Sequence, residues 1–147
     1  MIAGPLVAPE HEYPRHPERP SRVEAAAAGV DDLALGSDRV DTGARRATFE
    51  ELATVHDPRY LGALRDFAEA GGGKADPDTY VTRASWDAAS EAAGAGLAAV
   101  DALTRGEGDV AFVVARPPGH HAPADHAMGF CLVNNIAVAA AEARRCS

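Results

Sequence analysis

The amino-acid sequence predicts an α/β fold with a parallel-sheet core and flanking helices. One observation is the uninterrupted apolar run at residues 110–115, whose length and branched side chains favour a strand buried on both faces. Another is that alanine-rich stretches with helical spacing stand before and after this run. The resulting order of strand, helices, strand, loop and helix is typical of a parallel sheet covered by helices.

The first part of the chain contains two short strands and one helix. Residues 6–8 are expected to form a strand ahead of a proline-rich loop. A helix follows over residues 20–28, with Ser21 as its N-cap and a glycine directly after its last residue. Residues 39–41 form the second predicted strand.

Two further helices have clear start signals. Thr48 and Glu51 have the spacing of a capping box, which places a helix over residues 49–53. Asp57 is a good N-cap for the next helix, because Pro58 suits the first helical position. The run of three glycines at residues 71–73 ends this helix.

The second half of the chain holds the two longest predicted helices. After a polar loop at residues 76–82, Ser85 is expected to cap a helix over residues 86–103. The strand at residues 110–115 comes next, and a long loop rich in glycine and proline leads to a helix over residues 134–145.

Composition excludes several classes of partner. The chain has 14 Lys and Arg residues and 22 Asp and Glu residues. The resulting net charge of -8 argues against a surface that binds nucleic-acid phosphates. No apolar run has the length of a membrane span, and the N-terminal residues lack the pattern of a signal peptide. Two cysteines without a paired motif are expected to be reduced, so the predicted location is cytoplasmic.

The loop after the predicted strand at residues 110–115 carries the most informative residues. Residues 116–122 read Arg-Pro-Pro-Gly-His-His-Ala, and a Gly-Phe-Cys triplet follows at residues 129–131. An α/β sheet places its chemistry in such loops. Two adjacent imidazoles, His120 and His121, can accept and donate protons near neutral pH.

This block resembles the tandem-histidine signature of the zinc-dependent histone deacetylase superfamily, which includes bacterial deacetylase-like amidohydrolases and acetylpolyamine amidohydrolases. The resemblance implies part of an arginase/deacetylase-like fold and the hydrolysis of N-acyl amides on lysine or polyamine substrates. It implies that His120 and His121 are the catalytic acid and base. It also implies that Gly129 and Phe130 line the tunnel that receives the substrate.

Two earlier segments extend the resemblance. The sequence His-Pro-Glu-Arg-Pro-Ser-Arg at residues 16–22 is similar to a family segment whose last arginine lines an internal cavity, which makes Arg22 the candidate. The Asp-Pro-Asp-Thr sequence at residues 76–79 resembles the family loop that brings an aspartate to the tunnel rim. Asp78 fits that role best and Asp76 second, and a plain polar turn is the alternative.

The resemblance also implies a zinc ion, with ligands expected beyond Ser147. The chain has no Asp-x-His sequence, and its three tyrosines all precede the tandem histidines. Residues 1–147 are therefore interpreted as the N-terminal portion of a single deacetylase-like domain. The isolated chain is expected to be inactive, and its last strand is expected to expose an apolar edge that self-associates or pairs with the missing C-terminal half.

Two alternatives stay open from the sequence. One is a non-catalytic, truncated relative that serves as an interaction or assembly module. The other is an unrelated metal-binding protein that uses His120, His121 and His126 as ligands, with Asp125 and Cys131 as additional donors.

Overall fold

A computed structural model describes residues 1–36, 41–43 and 45–146 of the chain. The elements follow one another as β1 (Ile2–Leu6), α1 (Pro20–Asp31), β2 (Asp41–Thr42), α2 (Phe49–Leu52), α3 (Pro58–Glu69), β3 (Gly73–Lys74), β4 (Tyr80–Val81), α4 (Ser85–Thr104), β5 (Phe112–Ala115) and α5 (Asn135–Cys146). The predicted α/β class is confirmed. None of the helices in these ranges is long and apolar enough to cross a bilayer.

Three strands form the central sheet, in the order β2-β1-β5. Ile2 of β1 is in register with Asp41 on one side and with Phe112 on the other, and both pairings are parallel. Gly4 allows β5 to approach closely, because a Cβ atom there would lie 2.2 Å from the carbonyl oxygen of Val114. The parallel-sheet prediction is therefore confirmed.

The prediction that the apolar run is buried on both faces is wrong at three positions, and one of them is Val110, which precedes the strand and is 72% exposed. Phe112 is 53% exposed and Val113 is 36% exposed, whereas Val114 is buried. The reason is the position of β5 in the sheet, since within the described residues it has a strand neighbour on one side only. The strand is also shorter than the run, because it begins at Phe112.

Two other predicted strands have different bounds in the structure. The first strand covers Ile2–Leu6 and not residues 6–8, because it pairs through Ile2 and Ala3 despite the glycine and proline that follow them. Residues 39 and 40 of the second predicted strand lie outside the described residues, and the observed strand is Asp41–Thr42. The loop predicted at residues 76–82 contains β4, which pairs antiparallel with β3.

Helix starts follow the local signals with two exceptions. The Thr48–Glu51 capping box and the Asp57 cap are both present. The predicted Ser21 cap is wrong, because Arg19 is the N-cap and the proline at residue 20 takes the first helical turn. The predicted Ser85 cap is also wrong, because Ser85 is the first residue of α4 and its hydroxyl accepts a hydrogen bond from the Thr82 N–H.

Two groups of buried apolar residues hold the elements together. The larger group joins α2, α3, α4 and the start of α5 through small side chains on α4. Its buried members are Ala47, Leu52, Leu61, Leu64, Ala68, Val81, Ala89, Ala93, Leu97, Ala127, Leu132, Val133 and Val138. The smaller group packs α1 against the sheet and contains Ile2, Val23, Val30 and Val114. The loop between β5 and α5 is therefore anchored at both ends in packed structure.

Candidate active site

The tandem histidines lie in the loop that leaves β5. His120 and His121 are both exposed, and their ring centroids are 4.2 Å apart with an interplanar angle of 47°. Because β1 and β5 are parallel, their carboxyl ends meet at the same edge of the sheet. The loop after β1, which contains His11 and His16, therefore approaches the histidine loop.

Gly129 and Cys131 support the two histidines. Gly129 has φ +57°, and a Cβ atom there would lie 2.8 Å from Cδ2 of His121. The glycine thus lets the His121 ring rest directly on the backbone. The His120 backbone N–H donates to Sγ of the buried Cys131 at 3.4 Å. Both contacts fix where the imidazoles stand.

The far side of the histidine loop is fixed to the start of α3. Nε2 of the buried His56 accepts from the Asn134 backbone N–H at 2.9 Å, and its Nδ1 donates to the carbonyl of Ala124 at 3.3 Å. Burial lowers the pKa of His56, although the backbone contact at Ala124 opposes the shift. The Tyr60 hydroxyl donates to the carbonyl of Leu132 at 2.5 Å.

Phe130 has an uncommon backbone conformation for a side-chain-bearing residue, with φ +69°. Its N–H donates to the Thr79 hydroxyl at 3.0 Å, and its ring meets the His16 ring edge-on at a centroid distance of 4.8 Å. The half-buried ring thus forms a wall beside the His121–Gly129 contact.

The two candidate rim aspartates differ in surroundings. Asp76 accepts from the Asp78 backbone N–H at 2.9 Å, which closes the turn between them. Burial raises the pKa of Asp76, but hydrogen bonds from Asp78 and Thr79 outweigh it and the net shift is downward. Asp78 is exposed and accepts from the Thr79 hydroxyl at 3.2 Å. The more outward carboxylate is therefore that of Asp78.

Arg22 lies apart from the other predicted site residues. It is exposed on α1 and lines a cavity of about 220 Å³ together with Glu18, Pro118 and the residues of β5. The structure thus brings His120, His121 and Gly129 together, and joins Phe130 to the Asp78 loop. Arg22 approaches this group only from the α1 side of the sheet.

Sequence reasoning missed a buried ionic network behind the site. Arg116, only 1% exposed, donates from Nε to one carboxylate oxygen of Glu18 at 2.6 Å and from Nη2 to the other at 2.8 Å. Its Nη1 donates to the carbonyls of Val7 and Ala8, and its Nη2 also donates to that of His11. Although burial opposes charge on either group, these bonds raise the pKa of Arg116 and lower that of Glu18.

Tyr80 and His11 complete the buried network. The Tyr80 hydroxyl donates to Glu18 at 3.0 Å and accepts from Arg116 at 3.1 Å. The His11 ring stacks on Tyr80 at a centroid distance of 4.6 Å, and its Nδ1 lies 2.7 Å from the Ser85 hydroxyl. Burial lowers the pKa of His11 to about 4, even though Glu18 acts in the opposite direction. One signal was visible in the sequence: an arginine that directly follows an apolar strand and becomes buried needs a carboxylate partner.

Residues 16–147 match the histone deacetylase domain family. The chain belongs to the histone deacetylase family. It is 39% identical over 136 residues to a probable deacetylase of Methanothermobacter thermautotrophicus, covering 92% of this chain and 40% of that protein. It is 45% identical over 100 residues to a histone deacetylase-like amidohydrolase of Pseudomonas aeruginosa, covering 67% of this chain and 26% of that protein.

Two further comparisons agree with the histone deacetylase assignment. Human polyamine deacetylase HDAC10 is 37% identical over 135 residues, which cover 87% of this chain and 20% of that protein. The crystal structure of the HDA15 HD domain superposes with a TM-score of 0.88 at 34% identity, covering 98% of this chain and 42% of that one. The chain thus spans less than half the length of each of these relatives.

A deacetylase of this family is expected to hold a zinc ion. In the described ranges, no three His, Cys, Asp or Glu side chains converge to hold a metal ion. A zinc site needs three or four such donors. The described residues therefore do not form the metal site by themselves, and the alternative of a site built on His120, His121 and His126 finds no geometric support.

Proposed function

We propose that this histone deacetylase-family chain is part of an enzyme that hydrolyses N-acyl amides of acyl-lysine or acyl-polyamine to a carboxylate and an amine. The observation that carries the proposal is the pair of exposed imidazoles, whose ring centroids are 4.2 Å apart and of which His121 lies against Gly129, at the carboxyl edge of a parallel sheet. The family relatives support it, since their names describe deacetylases, one of them a polyamine deacetylase.

His120 and His121 divide the proton transfers. Amide hydrolysis requires that the attacking water lose a proton and that the leaving nitrogen gain one. Two imidazoles in contact can hold both functions, because one accepts the proton from water while the other donates to the nitrogen. Proton transfer is the only role that the proposal gives to these two histidines.

Asp78 and Phe130 bind the substrate in this proposal. The exposed Asp78 carboxylate accepts hydrogen bonds from a substrate backbone N–H or from an ammonium group. Phe130 lies against the aliphatic part of the acylated side chain, and Gly129 beside it accommodates the His121 ring. Arg22 is assigned to the cavity beside β5. The net charge of -8 favours cationic substrates such as lysine-rich peptides and polyamines.

The zinc ion belongs to the proposal for the whole enzyme. Because the described residues do not supply its ligands, ligands beyond Ser147 remain a prediction. The 147-residue chain by itself is accordingly proposed to be inactive. Its assignment as the N-terminal portion of one domain, and its cytoplasmic location, also stay predictions.

Zinc content and hydrolysis of a fluorogenic acetyl-lysine substrate test the function. Both are measured on the 147-residue chain and on the longest product of its reading frame, with an acetylated polyamine as second substrate. We expect the longer protein to be zinc-bound and active and the short chain to be neither. His120→Asn and His121→Asn should each reduce activity by about 10²- to 10⁴-fold, whereas the exposed His126→Gln control retains it. Turnover by the short chain would overturn the assignment of the ligands.

A second proposal concerns the edge of β5. We propose that a parallel strand from the part of the histone deacetylase domain not covered by this chain pairs with this edge. The support is that Phe112 and Val113 are exposed on an apolar strand with a neighbour on one side only among the described residues. The same pairing is compatible with the alternative function, in which the chain is a non-catalytic assembly module.

Co-expression tests the pairing. The 147-residue chain is produced together with the remainder of its reading frame, and co-purification is measured. Phe112→Lys should weaken co-purification, because it places a charge on the sheet face beside the paired edge, where apolar residues of the partner segment would cover Phe112. Val110→Lys is the matched control, since Val110 is 72% exposed and precedes the strand. A chain that self-associates instead, or that binds nothing, would contradict the proposed occupant.

A further inference from the structure

The Asp78 loop and the Phe130 wall come from different parts of the chain and are joined by one hydroxyl group. Thr79 is only 1% exposed. Its hydroxyl accepts from the Phe130 N–H at 3.0 Å and lies 3.2 Å from the Asp78 carboxylate, to which it donates. A single buried side chain therefore connects the candidate rim carboxylate to the backbone of the candidate wall.

A second contact joins the same two segments. Nε2 of His16 donates to the Asp78 carbonyl at 2.9 Å, while its Nδ1 accepts from the Glu18 backbone N–H at 3.1 Å. The His16 ring meets Phe130 on one side and Tyr80 on the other, at centroid distances of 4.8 and 4.7 Å. The connection thus rests on the buried network of Glu18 and Tyr80.

Phe130 needs such support because of its backbone. A φ of +69° is costly for a residue with a side chain, and it persists only where the surroundings hold it. The Thr79 hydroxyl holds the N–H of this residue. Without that acceptor, the Phe130 N–H loses its hydrogen bond and the left-handed conformation loses this support.

We propose that Thr79 is a positioning residue that couples the Asp78 carboxylate to the Phe130 wall, so that rim and wall keep one fixed separation. This inference deepens the proposed function and rests on it for its consequence for substrate binding. Thr79 touches neither water nor the amide in this role. Its effect is to present Asp78 and Phe130 to the acylated side chain in one arrangement, which should govern KM more than kcat.

The test compares two substitutions of one residue. Thr79→Ser keeps the hydroxyl, and Thr79→Val keeps the shape without it. In the 147-residue chain, hydrogen exchange at the Phe130 N–H is measured by NMR. We expect Thr79→Val to speed exchange by about tenfold and Thr79→Ser to leave it close to the wild type. Equal exchange in the two variants would overturn the proposal.

A second pair of variants tests the same coupling in case Thr79→Val does not fold. Asp78→Ala removes the exposed carboxylate that accepts from Thr79, and it should shift the Phe130 amide resonance. Asp125→Ala is the control, because Asp125 is exposed and lies closer to Phe130 along the chain. If the two substitutions move the Phe130 resonance equally, the coupling through Thr79 is refuted.

The consequence for binding is tested on the zinc-loaded longer protein with acetyl-lysine peptide. We expect Thr79→Val to raise KM by about tenfold with kcat within about twofold of the wild type, and Thr79→Ser to restore KM. A selective loss of kcat would overturn the positioning role. An inactive wild-type protein would overturn the proposed function, and the exchange measurement would still decide whether Thr79 couples the two segments.

Discussion

Acidification should destabilise the protein through His11, and the loss should begin near pH 6.5, before carboxylates are protonated. His11 is 1% exposed, and burial lowers its pKa to about 4 from an ordinary value of about 6.5. Between these two pH values the unfolded chain binds a proton that the folded chain excludes. Stability from this group is therefore complete above pH 6.5 and is lost as the pH falls toward 4. The pKa difference corresponds to roughly 3 kcal/mol.

The assay is urea unfolding of the wild type and of His11→Gln at several pH values from 7 to 4. At pH 7 the variant should be less stable, because the Ser85 hydroxyl loses its imidazole partner at 2.7 Å. On acidification the gap should narrow by roughly 3 kcal/mol, because only the wild type has to exclude a proton from this site. Titration of Glu18 occurs in both proteins and largely cancels in the difference.

The exposed Val110→Thr serves as the control, and its curve should run parallel to that of the wild type across the same pH range, because it removes no titratable group. If the wild type and His11→Gln lose stability in parallel between pH 6.5 and 4, then His11 does not exclude a proton on folding. The reasoning from its burial would then be refuted.

Two further substitutions test the packing around the site. Glu18→Gln should lower the free energy of unfolding by about 3–5 kcal/mol, because it leaves the buried Arg116 charge without a carboxylate. Urea unfolding at pH 7 measures this loss. A loss below about 1 kcal/mol would contradict the stabilising role of the Glu18–Arg116 ion pair. Gly129→Ala should lower the free energy of unfolding more than Gly36→Ala in the same assay, and it should shift the His121 NMR resonances. The two glycines have similar φ angles, +57° and +55°, but of the two only Gly129 lies against a ring. Equal losses of stability would exclude the His121 contact.

Much of the fold could be predicted from the sequence because its signals are local. The Thr48–Glu51 capping box and the Asp57 cap act over three residues or fewer, and the strand and helix periods are read within one segment. The predictions that failed at Ser21 and Ser85 concern helix ends, because both serines already lie inside their helices, whose N-caps are Arg19 and Ala84 and have no side-chain cap. The register of β1 depended on pairing with β5, which no local pattern reveals.

The candidate site divides in the same way. Its adjacent histidines, and the glycine and aromatic that follow them, stand in one loop, so the sequence alone sufficed to propose them. The tertiary structure decided what holds them: Glu18 and Arg116 are 98 positions apart, and Thr79 and Phe130 are 51 positions apart. Caps and periodicity depend on neighbours along the chain. A buried ion pair, a shared hydroxyl and an open strand edge depend on which distant segments meet, and only folding brings those segments together.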